Sequence, residues 1–305
     1  MAEAPSGRQF EITHGAQRAV VTEVGATLRH YSVGDREVLD GFEIDEMCSA
    51  GRGQLLLPWP NRIRDGRYSF GGKELQLPLT EPERGNAIHG LVRWSVWAPV
   101  EYGADRVAMH HVLYPQPGYP FMLSLTVQYA LSATGLTVTT SAVNVGRDPC
   151  PFGAGAHPYI TVGTDLVDSA TLRLRARTRL ESDERAIPTG RADVAGTEYD
   201  FAEPRPVGQL QLDGAFTDVV PDDDGRLRAV LAGPDGFSAA VWMDPAYSYV
   251  MVFTGDALGP PRARRSLALE PMTCAPNAFQ SGEGLRILEP GERFTADWGI
   301  TPAAL

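Results

Sequence analysis

The chain has 305 residues, 43% of them hydrophobic, so it is long enough to bury a sizeable core. Its formal net charge of −11 argues against a nucleic-acid partner, because an acidic surface repels phosphate backbones. No apolar run has the length of a membrane span, the N-terminal residues lack the plan of a secretory signal, and the three cysteines show no CxxC spacing, so we expect a cytoplasmic protein without a membrane partner.

Short apolar or alternating runs follow one another along the chain, separated by turn-forming residues. They are RAVVTEV near the N-terminus and residues 95–102, 106–114, 123–131, 136–145, 237–243, 247–253, 265–270 and 293–300. The 32 glycines and 24 prolines leave few places for a long helix. No repeat or linker divides the chain. This pattern predicts an all-β protein, one large antiparallel β-sandwich domain over residues 1–305.

The residues between neighbouring runs predict local connections. Residues 123–131 and 136–145, joined by SATG, predict a hairpin with a four-residue loop, and RYSFGGKELQLP predicts one with Gly71 and Gly72 at its tip. The regular alternation of LRLRARTRL, within residues 165–186, predicts an exposed strand.

Six histidines are candidates for acid–base chemistry, and two of them have unusual surroundings. His14, His30, His110 and His111 lie in predicted strands, where a structural or surface role is favoured. His157 follows four small residues and precedes a proline, which restricts it to extended backbone. Imidazole is the natural general acid or base at neutral pH, although a buried histidine bonded to a backbone carbonyl would explain the pattern equally well. His89, in RGNAIHGL, fits a ligand-facing loop or a packed turn.

Three other polar residues lie at positions where they could contact a ligand. Glu270 ends the apolar strand RSLALE, on the opposite face from Leu267 and Leu269, so it can act as a base at a sheet edge or lie in water. Asp213, in LDGAF, can accept hydrogen bonds from hydroxyls or form an Asx turn. Arg62, in PWPNRIRDG, can present several donors to a sugar or form a surface salt bridge.

Several enzyme classes have no support in the sequence. There is no GxGxxG, GxxxxGK[ST], GxSxG or HExxH motif, which argues against nucleotide binding, a hydrolase elbow and a zincin. A metal held by His89 and His157 is disfavoured because no acidic cluster frames both residues in the sequence. We therefore expect no metal.

Taken together and in order, these segments resemble the aldose 1-epimerase family. The order is PWPNRIRDGRYSFGGKELQLP, NAIHGLVR, GAHPYI, LDGAF, LEPMTCAPNAF and LEPGE, from about residue 50 to residue 292. The stretch HGLVRWSVW lacks the HGGxxGFxxxxW form of the best-known galactose mutarotases and is closer to a less characterised bacterial branch. The resemblance implies a galactose mutarotase-like sandwich with a sugar-binding cleft on one sheet, and no metal or organic cofactor.

By the same resemblance, each candidate residue acquires a role in exchanging the anomers of a free hexose such as glucose or galactose. His157 would be the general acid and Glu270 the general base, with His157 protonated and Glu270 ionised at rest and a bell-shaped pH profile. His89 would support charge on the ring oxygen, and Arg62 and Asp213 would hold hydroxyls. The neighbouring aromatics Trp59 and Tyr159 could stack on the sugar, whereas Phe279 is expected in the core.

Three alternatives remain open. A hexose 6-phosphate epimerase would need a cationic pocket, which Arg62, Arg64, Arg84 and Arg93 could form. A non-catalytic sugar-binding protein could use the same fold, and so could an enzyme for an unusual sugar. Either a monomer or a homodimer is compatible with the sequence.

Overall fold

A computed structural model describes residues 3–304, which are built almost entirely from β-strands. In chain order the strands are β1 (Gln9–His14), β2 (Gln17–Thr22), β3 (Leu28–Val33), β4 (Arg36–Glu37), β5 (Leu55–Leu56), β6 (Arg62–Arg64), β7 (Arg67–Phe70), β8 (Lys73–Gln76), β9 (Asn86–Ile88), β10 (Ala98–Tyr102), β11 (Arg106–Leu113), β12 (Leu123–Ser132), β13 (Gly135–Asn144), β14 (Cys150–Phe152), β15 (Gly155–Ala156), β16 (Tyr159–Ile160), β17 (Thr171–Leu174), β18 (Thr178–Ser182), β19 (Pro188–Asp193), β20 (Phe201–Pro206), β21 (Asp213–Thr217), β22 (Leu227–Ala232), β23 (Phe237–Met243), β24 (Tyr249–Phe253), β25 (Leu267–Met272), β26 (Arg286–Leu288) and β27 (Arg293–Ala304). The helical segments are α1 (Ala278–Ser281) and two 3₁₀ turns, Val167–Ser169 and Asp256–Leu258. Within this part of the chain, no helix is both long enough and apolar enough to cross a membrane.

The larger sheet has nine antiparallel strands in the order β10-β11-β12-β13-β27-β23-β22-β17-β20. Along β12, Leu123, Leu125, Val127 and Tyr129 are buried and alternate with half-buried residues, as the two-residue period of a strand requires. The C-terminal strand β27 lies at the centre, between β13 and β23. It therefore joins the strands of the first half of the chain to those of the second.

The second sheet has eight strands, with the main order β19-β18-β21-β24-β25-β15-β5 and β16 also paired to β25. Leu267 and Leu269 on one face of β25 belong to the same buried cluster as the inward residues of β12. The two sheets thus share one core, which confirms the predicted antiparallel sandwich. Smaller units flank it: a four-stranded N-terminal sheet, β1 to β4, and the pairs β6–β9, β7–β8 and β14–β26.

Two local predictions need correction. Ser132 pairs with Gly135, so the β12–β13 hairpin has a two-residue loop rather than four residues. The segment LRLRARTRL does not form one exposed strand: it divides between β17 in the nine-stranded sheet and β18 in the eight-stranded sheet, and its leucines are buried. Leu172 and Leu174 lie in the core shared by the two sheets, whereas Leu180 belongs to a smaller buried cluster with Met251, on the other face of the eight-stranded sheet. The predicted glycine tip of the β7–β8 hairpin is confirmed, with φ of 57° at Gly71 and 74° at Gly72.

Candidate active site

A cavity of about 550 Å³ opens on the face of the eight-stranded sheet that points away from the shared core. Its volume is in the range of small-molecule sites. Residues from three adjacent strands, β21, β24 and β25, form its base, and the loops around residues 48–51, 80–94 and 257–258 form its walls. Six of the seven residues predicted for the site line it, namely Arg62, His89, His157, Tyr159, Asp213 and Glu270.

Glu270 lies in the middle of a central strand, not at a sheet edge as the sequence indicated. β25 continues through Pro271 to Met272, between β24 on one side and β15 and β16 on the other. A proline is tolerated here because the backbone donors on either side of it, Leu269 and Thr273, bond to Pro158 and Ala154, while its own missing N–H faces the break between β15 and β16. The alternation predicted from Leu267 and Leu269 is confirmed, and it directs Glu270 into the cavity.

His157 lies in that break, opposite Glu270. Its backbone N–H donates to the carbonyl of Gln54 at 3.0 Å, which holds the segment to the neighbouring loop. Its Nε2 is 3.3 Å from Oε1 of Glu270. The ring stacks on Tyr159 with centroids 4.9 Å apart, and Gly51 lies over the ring so closely that a Cβ there would be 2.7 Å from Cδ2. The imidazole is therefore held between a carboxylate, an aromatic ring and a glycine.

Burial shifts both members of this pair toward their neutral forms. It lowers the pKa of His157 to about 3, with a further contribution from the charge of Arg93. It raises the pKa of Glu270 well above the ordinary carboxyl value, and the nearby charge of Asp213 raises it further. This distribution is the reverse of the resting state expected from the sequence. His157 Nδ1 and Glu270 Oε2 are buried without a hydrogen-bond partner among the described residues, so both have unused bonding capacity.

His89 follows β9 and has a left-handed backbone with φ of 62°. The ring Nδ1 of His89 accepts a hydrogen bond from the backbone N–H of Asn61 at 3.2 Å, and the backbone N–H of His89 donates to the Asn61 carbonyl at 2.9 Å. Burial and the charge of His157 hold its pKa well below the usual histidine value. The ring is thus a neutral imidazole with its proton on Nε2, a fixed donor beside His157, with ring centroids 5.2 Å apart.

The sequence shows no acidic cluster around the two histidines, but the fold brings one carboxylate, that of Glu270, close to both. Ligand-type atoms of His89, His157 and Glu270 all lie within 4.8 Å of one another. Two imidazoles and a carboxylate are ligands that zinc accepts. Because Nδ1 of His89 is engaged by Asn61, only Nε2 of that ring remains for a metal. The cluster therefore offers groups for acid–base chemistry and donor atoms for a metal ion.

Arg62 and Asp213 face the cavity in different ways. The guanidinium of Arg62 forms a two-pronged ion pair with Glu81, with Nε to Oε2 and Nη2 to Oε1 both at 2.9 Å. Its side chain is only 11% exposed, so this is a largely buried pair and not the surface salt bridge considered as the alternative. Asp213 begins β21 opposite Phe253, and its exposed side chain lies on the same face as Glu270, two strands away.

The two aromatic residues predicted to stack on a sugar are placed differently. Trp59 does not line the cavity. It is buried in the core against Phe279, with ring centroids 5.4 Å apart, and Phe279 itself lies in the core as expected. Tyr159 lines the cavity, but its ring is stacked by His157 and covered by the guanidinium of Arg52 at 4.5 Å. Its hydroxyl donates to the Ala50 carbonyl. Tyr159 thus supports His157 and has no free face for a sugar.

Sequence reasoning missed several residues of the cavity. Glu81 neutralises Arg62, and Met251, Phe253, Leu258 and Trp94 provide apolar walls. Met251 and Phe253 alternate in YSYVMVF, which is a signal for one face of a strand. The sequence did not show that β24 pairs with the strand that carries Glu270.

The molecule is thus a large antiparallel sandwich with a buried carboxylate–imidazole pair at the base of a cavity of small-molecule size. The profile of the aldose 1-epimerase family matches residues 8–301, and the chain belongs to that family.

Individual relatives agree with this assignment. Over 288 residues the chain is 34% identical to YihR, an uncharacterised protein of Escherichia coli K12, with 94% of this chain and 91% of that protein covered. It is 28% identical over 291 residues to the maltose epimerase of Levilactobacillus brevis, covering 85% and 83% of the two chains. The GalM/aldose epimerase homologue from C. elegans shares the fold, with a TM-score of 0.88, 20% identity and coverage of 98% and 99%.

Proposed function

We propose that this protein is an aldose 1-epimerase that exchanges the anomers of a free hexose such as glucose or galactose. The observation that carries the proposal is the 3.3 Å contact between His157 Nε2 and Glu270 Oε1 at the base of the cavity. Family membership supports an isomerase of this kind. A protein that only binds sugar has no use for a buried pair whose two members can exchange a proton.

The reaction needs one proton removed and one delivered. Glu270 takes the proton of the C1 hydroxyl, the C1–O5 bond breaks as the C1 carbonyl forms, and His157 delivers a proton to the ring oxygen. Rotation about C1–C2 turns the other face of the aldehyde to O5, and the same transfers run in reverse. Each positioned acid or base typically contributes about 10²–10⁴-fold to the rate.

The pair holds the single proton that this cycle requires. In the empty cavity, burial favours the proton on Glu270 and a neutral His157. A ring-closed sugar favours the opposite arrangement, because its C1 hydroxyl donates to the unpartnered Oε2 of Glu270 and its ring oxygen accepts from His157. The proton needs to move only across the existing 3.3 Å contact. The proton therefore lies on Glu270 both in the empty cavity and when the sugar is in its open-chain form.

The remaining residues orient the sugar. His89 offers a neutral Nε2–H donor to the ring oxygen as charge develops there. Asp213 accepts hydrogen bonds from the sugar hydroxyls on the Glu270 side of the cavity. Arg62, which is paired with Glu81, donates to other hydroxyls of the sugar. Phe253 and Trp94, rather than Trp59 or Tyr159, offer apolar surfaces for the ring of the sugar.

Polarimetric decay of fresh α-glucose and α-galactose tests the proposal. Wild-type protein should accelerate the decay, and Glu270→Gln, which keeps the shape but cannot take a proton, should remove the acceleration. Glu37→Gln, an exposed glutamate of β4, is the matched control and should behave as wild type. If the wild type binds either sugar by calorimetry without accelerating its decay, the protein is a sugar binder instead.

The metal alternative is tested with the same assay. Because the mechanism uses only protons, exhaustive dialysis against EDTA should leave the rate unchanged. A rate that is lost on dialysis and restored by Zn²⁺ would instead assign His89, His157 and Glu270 as metal ligands.

A further inference from the structure

Arg93 is a cation of the cavity wall that has no carboxylate partner among the described residues. Its Nη2 donates to the Ile88 carbonyl at 3.3 Å and its Nη1 to Oε1 of Gln54 at 3.5 Å, both uncharged and both long. Within residues 3–304 it forms no ion pair with a carboxylate, and burial lowers its pKa. A desolvated guanidinium in this situation gains more than usual from an anion brought by a ligand.

The other arginines considered for a cationic pocket each have a carboxylate neighbour in the protein. Arg62 is paired with Glu81, and Arg84 is 3.9 Å from the same carboxylate. Arg64 is paired with Asp183 and does not line the cavity. Of these four arginines, Arg93 is therefore the one without a carboxylate at ion-pair distance among the described residues.

The contacts of Arg93 place it at the histidine end of the cavity. Ile88 immediately precedes His89, and the carbonyl of Gln54 accepts the N–H of His157. Asp213 lies at the opposite end, on the same face of the sheet as Glu270. The cavity thus has a cationic end beside the two histidines and an anionic end beside the base.

The proposed acid–base pair sets the direction of a bound pyranose relative to these two ends. In the proposed mechanism, C1 lies at Glu270 and the ring oxygen at His157. The ring oxygen is bonded to C5, which carries C6, so a substituent on C6 projects past His157 toward the end that Arg93 occupies. The hydroxyls of C2 and C3, on the other side of C1, face Asp213.

We propose that the Arg93 end of the cavity binds a singly charged oxyanion attached to C6 of the aldose. The inference rests on the proposed anomer exchange and narrows its substrate class. One uncompensated guanidinium matches one negative charge. A phosphate ester, which carries about −1.5 to −2 charges at neutral pH, would bring more negative charge than this guanidinium matches into a cavity that Glu81 and Glu83 also line.

The bound anion would also act on the catalytic pair. The charge of Arg93 is the largest electrostatic contribution that lowers the pKa of His157. An oxyanion on Arg93 offsets this charge and stabilises the protonated imidazole that must deliver a proton to the ring oxygen. The preference for an anionic sugar is therefore expected in kcat as well as in KM.

Exchange NMR between the two anomeric protons measures the rate for any reducing sugar without isolating an anomer. We expect wild-type kcat/KM for glucose 6-sulfate or glucuronic acid to exceed that for glucose, and glucose 6-phosphate to fall below the two monoanions. Arg93→Gln should lower the ratio of anionic to neutral kcat/KM by about 10–100-fold, since a hydrogen bond to a charged group is lost. Arg93→Lys should restore part of the ratio.

Arg64→Gln, which removes an arginine outside the cavity, should leave the ratio unchanged. Turnover of glucose without preference for any anionic sugar would overturn the inference and leave the proposed function intact, whereas no exchange with any sugar would defeat the proposed function itself. A higher kcat/KM for the phosphate ester would refute the match to a single charge.

A measurement on wild type guards against a misfolded Arg93 variant. Methyl sulfate, a singly charged oxyanion, should compete with glucose more strongly than chloride at equal ionic strength, because it occupies the Arg93 end of the cavity. Equal effects of the two salts would contradict the inference.

Discussion

In the proposed mechanism, the proton shared by Glu270 and His157 sets the pH dependence of the reaction. The active pair carries one proton, so activity falls where the pair gains a second proton or loses its only one. Because burial lowers the pKa of His157 to about 3, we expect no acid limb near pH 6.5, where an exposed histidine would titrate. The bell-shaped profile expected from the sequence is therefore broadened on its acid side, and its alkaline limb reports the raised pKa of Glu270.

Asp213→Asn tests the origin of that alkaline limb. The negative charge of Asp213 raises the pKa of Glu270, so its removal should lower that pKa and move the alkaline limb of the kcat/KM profile, which reports the free protein, to lower pH. The shift should be partial, because burial is the larger cause and is unchanged. Asp105→Asn, a change at an exposed aspartate remote from the cavity, should not move the limb. A limb that stays in place in Asp213→Asn would show that Glu270 is not the group titrating there.

The strand break that carries His157 depends on a glycine in another loop. Gly51 has φ of 75°, and a Cβ there would approach Cδ2 of His157 to 2.7 Å. Gly51→Ala should therefore displace the imidazole and reduce kcat by about 10²-fold, the usual cost of misplacing a reacting group by about 1 Å. Anomer-exchange kinetics with the thermal midpoint measured in parallel would separate lost activity from lost stability.

Gly15→Ala is the matched control for this change. Gly15 has a similar left-handed φ of 59°, but a Cβ there meets nothing within 4 Å. Both variants carry the backbone strain of a side chain at positive φ, about 1–2 kcal/mol, and only Gly51→Ala carries the clash. If Gly15→Ala loses as much activity as Gly51→Ala, contact with His157 is not the cause.

At the level of secondary-structure elements, the sequence predicts which residues share a face of a strand, but not which distant strands pair with one another. The alternation in β12 and the face on which Glu270 lies follow from a two-residue period, so the sequence predicted both correctly. The same period could not show that LRLRARTRL crosses from one sheet to the other, or that Trp59 packs on Phe279. The unpaired charge of Arg93 was also hidden, because it depends on which arginines Glu81 and Asp183 neutralise.

On the scale of the whole molecule, the C-terminal strand holds the larger sheet together. β27 pairs with β13 on one side and β23 on the other, so the nine-stranded sheet is continuous only through it. Trp298 of this strand stands opposite Val138 and Met243 and is buried in the shared core. The stability of both halves should thus depend on contacts made by the last residues of the fold.

Trp298→Ala should lower the free energy of unfolding by about 3–5 kcal/mol, the usual loss for a buried aromatic side chain replaced by alanine. Thr295→Ala, an exposed change three residues earlier in the same strand, should stay within about 0.5 kcal/mol of wild type. Urea unfolding followed by circular dichroism and by tryptophan fluorescence measures both variants. Because β27 joins the two halves, the two signals should shift together in Trp298→Ala. A loss confined to one signal would show that the halves unfold separately and that β27 does not couple them.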